Sequence, residues 1–358
     1  MSIIYLDTAI LAVPNYAVDA KTGQEIIDRL IHFSDITDQE LPLKLVISDY
    51  AEEILWGQNL GPDYEQIDQF LEIMELKHIY STHDLLQRYH TILQICLRAS
   101  EASPIDAKSV SDFRSDPALP DLSPTQMMHE TQRIFASAAA VSTLSQRIWV
   151  GSAFDSSTEE RFDIEAQLDE FGGCHCEMMD KPPIKVASPV VALTHLRNIV
   201  SAEFADYTWR SARNASDLHF AITLGALALQ IAGGEELSYG KLKPFALGSE
   251  FAASLEGVEC ARDGRFSSTL RELCSQIVAG KCSRQINPFS LTGQYSRDFD
   301  GAKAWRTHVT NGGLALRLMH WATEDMIEFA NVDVKKGEKI EKGATRPAAA
   351  LNFSNHFG

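Results

Sequence analysis

Ala304-Trp305-Arg306-Thr307-His308-Val309-Thr310, then Asn311-Gly312-Gly313, then Leu314-Ala315-Leu316-Arg317-Leu318-Met319-His320-Trp321 carry the clearest structural pattern in the 358-residue chain. In the first run Arg306 and His308 fall on one face and Thr307 and Val309 on the other, the period of a strand. Asn-Gly-Gly supplies the positive φ of a tight hairpin. In the second run Leu316, Leu318 and His320 share one face, and Ala315, Arg317, Met319 and Trp321 the other. A third run, Met326 to Val334, alternates Ile327 and Phe329 against Glu328 and extends the hairpin to a small antiparallel sheet. Upstream, Phe266 to Ala279 places Leu270, Leu273 and Ile277 at helical spacing. Residues 263–342 are therefore expected to form an α+β module, and 343–358 a tail that frays at Asn352 to Gly358.

This hairpin concentrates chemistry. Metal-free RNA cleavage needs a base for the 2′-hydroxyl, an acid for the leaving oxygen and cations for the phosphorane. Arg306, His308, Arg317 and His320 are of the right types, provided the strand register aligns them. The competing reading pairs the arginines with Glu328 or Asp333 across the sheet and leaves the histidines as surface fillers.

At the other end, residues 2–13 form a continuous apolar run interrupted by Asp7, as in a strand covered on both faces. After a turn at Pro14-Asn15, Lys21 to Phe33 is amphipathic; Leu43 to Ser48 is a second buried strand, and Tyr50 to Trp56 opens a helix capped by Ser48 or Asp49. Tyr64 to Leu76 and His83 to Ala99 continue as helices. That order predicts an α/β module with parallel strands over 1–100. Residues 101–124 hold four prolines and few large apolar side chains, the composition of a linker or exposed loop. Residues 125–262 read as a helical middle, with helices over Thr125 to Gln146, Ser156 to Phe171, Ala187 to Ala205 and Ala215 to Ala232, and a short strand or helix end at Arg147 to Gly151.

A net charge of −17 excludes nucleic-acid binding over the whole surface, leaves room for a local basic site, and suits a protein partner. Six scattered cysteines, no basic n-region at the start, and no apolar run judged long enough to span a bilayer (Phe220 to Ala232 falls short) lead to the expectation of a reduced, cytoplasmic protein without a membrane segment. Cys174-His175-Cys176 lacks a second ligand pair at zinc spacing, and there is no phosphate-binding glycine loop of the GxxxxGK[ST] type.

Two resemblances add to this reading. Residues 1–100 resemble the start of a PIN-like nuclease domain, through Asp7 in YLDT and Glu53 in SDYAEEIL, with Glu52 beside it. The likeness implies carboxylates that hold Mg²⁺ or Mn²⁺ for phosphodiester hydrolysis, with Asp217, or alternatively Asp84, as the third acid. Without it, Asp7 caps a turn, Glu53 is a solvated helix residue, and Asp217 is a first-turn acid favoured by the helix dipole. Residues 264–340 resemble the RelE/ParE-like toxin superfamily, through Asn287-Pro288, Leu291-Thr292-Gly293, Trp305 to Val309, Leu314 to Trp321 and Ile327 to Val332. That likeness implicates Arg306, His308, Arg317 and His320, with Lys335 or Lys336 as added phosphate contacts. Leu316 stands where that family carries an aromatic residue. Together they imply an RNA-directed endonuclease of toxin or phage-defence type; the alternative is a non-catalytic scaffold or sensor subunit.

Overall fold

The computed structural model describes residues 2–14, 19–37, 43–120, 122, 124–144, 148–152, 161–174, 176–290, 295–310, 314–335, 339–343 and 346–357. The chain is mixed α/β and divides into two compact units, Ser2–Leu196 and Arg197–Gly358.

In chain order the first unit holds β1 (Ser2–Leu6), α1 (Ala20–Thr37), β2 (Leu43–Ile47), α2 (Ala51–Gly57), α3 (Tyr64–Ile73), α4 (Thr82–Ile95), β3 (Leu97–Arg98), α5 (Ala99–Ala102), β4 (Asp106–Asp116), α6 (Thr125–Thr143), β5 (Ile148–Gly151), β6 (Arg161–Gly172) and β7 (Ile184–Leu193). Its seven-stranded sheet runs β3-β2-β1-β5-β7-β6-β4. The first five strands are parallel, and β6 is antiparallel to both β7 and β4. β1 lies between two parallel neighbours, with Ile4 opposite Leu45 on one side and Trp149 on the other. Enclosed in this way, Ile3 to Leu6 are all buried, which is why the segment reads as an unbroken apolar run. Helix α6 packs on β4, β6 and β7. Its Ala136, Ala138, Ala139 and Ala140 have no exposed surface, and side chains this small let the helix axis lie close to the sheet.

Three expectations are corrected here. The 101–124 stretch contains β4 rather than being only a linker. As the outermost strand, broken by bulges and lined with polar residues, β4 needs little apolar content. The helix expected over Ser156 to Phe171 is instead strand β6 across its described part, with Phe162, Ile164, Ala166 and Leu168 turned inward at period two. The helix expected over Ala187 to Ala205 begins as strand β7. Pro189 is tolerated inside β7 because, among the described residues, pairing with β5 starts only at Val191. The 125–262 region is therefore not wholly helical, and it is divided between the two units.

The second unit holds α7 (Ala202–Arg210), α8 (Ala215–Ala232), β8 (Phe245–Leu247), α9 (Phe251–Glu256), α10 (Ser267–Val278), β9 (Ile286–Pro288), β10 (Lys303–His308), β11 (Leu316–Ala322) and β12 (Ile327–Val334). β10, β11 and β12 form the expected antiparallel meander, and the sheet adds β9 at one edge and β8, parallel to β12, at the other. The turn residues 311–313, the loop motif 291–293, Asn15, His175 and Lys336 lie outside the described residues. The tail does not fray where described: Phe353 and Phe357 are buried, with Phe353 among the rings of His219, Phe220 and Tyr239.

Helix α8 is the centre of this unit. Among the described residues it is the one helix long and apolar enough to cross a membrane, because it begins at Ala215, five residues before the run at Phe220 to Ala232. Two thirds of it is buried inside the protein, as for a core helix. Helix α10 approaches it at Gly225, where an added Cβ would stand 2.4 Å from Ser275 Oγ and 2.6 Å from Arg271 Nη1. Ser275 Oγ already donates to the Ile222 carbonyl at 3.0 Å. Gly225→Ala is therefore expected to destabilise the protein by about 1–3 kcal/mol, despite the better helix propensity of alanine. Urea unfolding measures this; an unchanged or raised midpoint would show that the two helices part at little cost.

Candidate active site

Asp7 ends β1, and β1 is the strand from which the sheet is built outward in both directions, through β2 and β3 on one side and β5 and β7 on the other. Ligands of open α/β sheets bind at such a switch point, beyond the carboxyl ends of the strands. The side chain is fully buried. Its Oδ1 accepts from Ala9 N at 3.1 Å and from Thr131 Oγ1 at 2.9 Å, while Oδ2 has no hydrogen-bond partner among the described residues. Burial raises the Asp7 carboxyl to about 7; the Ala9 and Thr131 donors oppose the rise and the nearby Glu130 charge adds to it.

Helix α6 brings Glu130 and Thr131 to this site. Glu130 is buried, with neither oxygen in a well-formed hydrogen bond, although Arg133 Nη1 lies 3.0 Å from Oε2 as an ion pair. Burial raises its pKa, Arg133 and Ser48 lower it, and Asp49 raises it again. Asp106, at the start of β4, is buried, and among the described residues its Oδ2 has no hydrogen-bond partner. Burial pushes it to about 6 against the pull of Arg133 and Lys108, with Asp49 and Glu130 adding to the rise. Arg133 is itself held by the Ala107 carbonyl at 3.0 Å and lies over the Tyr50 ring. Asp49 accepts from the amide and hydroxyl of Ser100. Glu130 thus links the group: its charge reaches both Asp7 and Asp106, and Arg133 acts on Glu130 and Asp106.

A buried orphaned carboxylate oxygen is costly unless a proton or a cation meets it. Among the described residues no three His, Cys, Asp or Glu side chains are arranged to hold one metal ion. The donors nevertheless fit Mg²⁺ or Mn²⁺: all are hard oxygens, and Mg²⁺ is commonly held by one or two carboxylates, completing its shell with water and substrate phosphate.

Of the carboxylates expected from the sequence, Asp7 alone lies in this cluster. Glu53 is exposed on α2, while Glu52 beside it pairs with Arg98. Asp84 sits in the first turn of α4, its amide capped by Ser81. Asp217 belongs to the second unit, where its Oδ2 accepts from Arg213 N at 2.7 Å and its amide donates to Asn214 Oδ1. It serves the N-terminus of α8, the helix-start role that was the competing reading. Sequence reasoning missed Asp106, Glu130 and Arg133. Glu130 had a legible signal, because Met127, Thr131, Ile134 and Ala138 place it within an apolar stripe at helical spacing.

In the second unit the register resolves the four cationic candidates. Arg306 lies opposite Met319 and His308 opposite Arg317, so Arg306, His308 and Arg317 share one face. His320 lies opposite Trp305 and points to the other face, where it is buried. Arg284 Nη1 donates to the His308 carbonyl at 2.8 Å and also reaches the Val309 carbonyl. His308 is lowered from its usual pKa by partial burial and by Arg317, Lys335, Arg306 and Arg284. Asp333 lies across from Arg317, and Glu328 pairs with Arg297.

No family model matches this chain, and neither a curated protein nor a solved structure matches it.

Proposed function

We propose that this chain is an intracellular endoribonuclease whose first unit is PIN-like and whose cleavage centre is Asp7, Asp106 and Glu130, acting with Mg²⁺ or Mn²⁺. The observation that carries the reading is three buried carboxylates, each with an oxygen that lacks a hydrogen-bond partner among the described residues, one of them, Asp7, at the switch point of a parallel sheet. Its five parallel strands follow the order β3-β2-β1-β5-β7, and the strand order supports the PIN-like likeness together with Asp7 at the end of the first strand. The free cysteines agree with a reduced, cytoplasmic setting.

The residues divide the work. Asp7 and Glu130 would hold the ion, and Asp106 would hold a proton or a metal-bound water. When bound, the ion supplies an activated water and neutralises charge on the scissile phosphate. Thr131 Oγ1 and Ala9 N fix Oδ1 of Asp7, so that Oδ2 stays open to the ion. Arg133 opposes the rise that burial imposes on the Glu130 carboxyl, and would stand as a cation beside developing phosphate charge. The partly exposed Arg306 and His308, with Arg284 and Lys335, would supply RNA-backbone contacts, while Arg317 on the same face is buried. The toxin or phage-defence setting rests on the likeness of β10 to β12 to RelE/ParE-like strands.

The test is cleavage of single-stranded RNA by the full chain with Mn²⁺, with Mg²⁺ and in EDTA. Cleavage is expected with either ion and not in EDTA; no cleavage under any of these conditions defeats the proposal. Cleavage that persists in EDTA and is lost in His308→Ala would move the chemistry to the second unit. For RNA binding, Arg306→Ala is expected to weaken affinity and reduce the salt slope, −d log K/d log[salt], by about 0.7, one single-strand phosphate contact. An unchanged slope in a filter-binding series would remove Arg306 from the interface.

The second reading, a non-catalytic scaffold or sensor subunit, is favoured by the Arg133–Glu130 pair, which already places a cation within the carboxylate cluster. It predicts that Asp7→Ala retains partner capture and biological effect.

A further inference from the structure

The second unit contains a cavity of about 790 Å³, within the range of about 300–1,000 Å³ for small-molecule sites. It opens on the sheet face opposite Arg306 and His308. Ile277, Ile286 and Ile327 give it an apolar floor, Trp305 and His320 lie opposite each other on its sheet wall, and Lys243 and Lys303 line it. His320 is the anomaly. It is almost wholly buried, yet its Nδ1 has no hydrogen-bond partner among the described residues, an arrangement native proteins rarely keep without a reason. The ring is neutral at physiological pH, since burial, with Lys243 nearby, pushes it down to about 4. A neutral imidazole both donates and accepts, and suits an uncharged polar group such as a base edge or a ribose hydroxyl.

We infer that this cavity binds a nucleoside monophosphate, with the base against Trp305, a base or sugar polar group on His320, and the phosphate at Lys243 and Lys303. An indole beside an apolar floor accepts a planar ring, and two lysines accept a dianion. Exposed carboxylates at Glu324 and Asp325, also on the lining, suit ribose hydroxyls and disfavour a ligand that is anionic throughout. This site is separate from the carboxylate cluster, and it does not depend on the nuclease reading.

The experiment is calorimetric titration of the full chain, in EDTA, with AMP, adenosine and inorganic phosphate, on an Asp7→Asn background so that the carboxylate cluster takes no part. One AMP per chain is expected, bound at least about tenfold more tightly than adenosine or phosphate. His320→Phe preserves the buried ring and is expected to weaken AMP about tenfold without lowering the unfolding midpoint. Lys243→Met, an exposed position, is expected to weaken AMP about tenfold while leaving adenosine unchanged. The inference is overturned if AMP gives no binding up to millimolar concentration, if His320→Phe and Lys243→Met bind it as the parent does, or if the groove takes an apolar peptide in its place.

Discussion

Asp7→Asn is expected to abolish metal-dependent RNA cleavage and, at pH 8 in chelator, to make the folded protein more stable. Raising a fully buried carboxyl from 3.8 to about 7 corresponds to about 4 kcal/mol of unfavourable ionisation in the folded state. Asparagine keeps the oxygen that accepts from Ala9 N and Thr131 Oγ1, and carries no charge. Its amide nitrogen takes the place of the orphaned Oδ2, at about 1–3 kcal/mol if it too goes unpartnered. The net gain is therefore about 2 kcal/mol. The folded carboxyl binds its proton more tightly than the unfolded one, so this part of the stability of the parent is present below about pH 4 and falls as pH rises to about 7. The advantage of Asp7→Asn over the parent should grow through the same window and level off above it. Urea unfolding at pH 5 and pH 8 measures both values. A loss of stability at pH 8 would mean that the Asp7 charge is met by a partner within the fold, and the site reading would lose its basis.

The opposite sign is expected for another buried charge. Arg297 and Glu328 are both nearly inaccessible and pair at 2.9 Å, and Arg297 also binds Asp300 at 2.5 Å. Arg297→Met leaves Glu328 buried without its cation, which costs about 3–5 kcal/mol and lowers the unfolding midpoint by about 10 °C. Adding Glu328→Leu removes the stranded charge and should restore most of the loss, because the two positions couple directly. Thermal unfolding of the single and double variants provides the measurement; equal losses in both would show that Arg297 acts through packing alone. The contrast separates two uses of buried charge. Glu328 is a strut matched by an arginine, whereas Asp7 has hydrogen-bond donors but, among the described residues, no cation in ion-pair range.

What the sequence made legible follows from local pattern. The meander from Lys303 to Val334 shows its strand character in alternation and forms as expected, whereas the strand expected over residues 2–13 stops at Leu6, where Asp7 caps a 3-10 helix over Thr8–Leu11. β6 alternates equally well, but its acidic and polar outward residues imitate a solvated helix. β4 carries almost no apolar signal because it lies at the sheet edge. The site was half legible. Asp7 stood out as the lone acid in an apolar run. Asp106 lies in a segment whose composition is that of a loop, and its burial comes from tertiary packing that no local pattern records. The pairing of His308 with Arg317, and the exclusion of His320 from their face, depended on register, which alternation within each strand leaves open.

The most direct measurement of the central claim is calorimetric titration of Mn²⁺ into the chelator-stripped full chain at pH 8 and at pH 5. At pH 8 the Asp7 and Asp106 carboxyls, raised to about 7 and about 6, are ionised and available; at pH 5 protons compete for them. The account predicts saturable Mn²⁺ binding at pH 8 that weakens at least about tenfold at pH 5 and disappears in Asp7→Asn. Absence of Mn²⁺ binding at pH 8, or binding that survives Asp7→Asn unchanged, would contradict it.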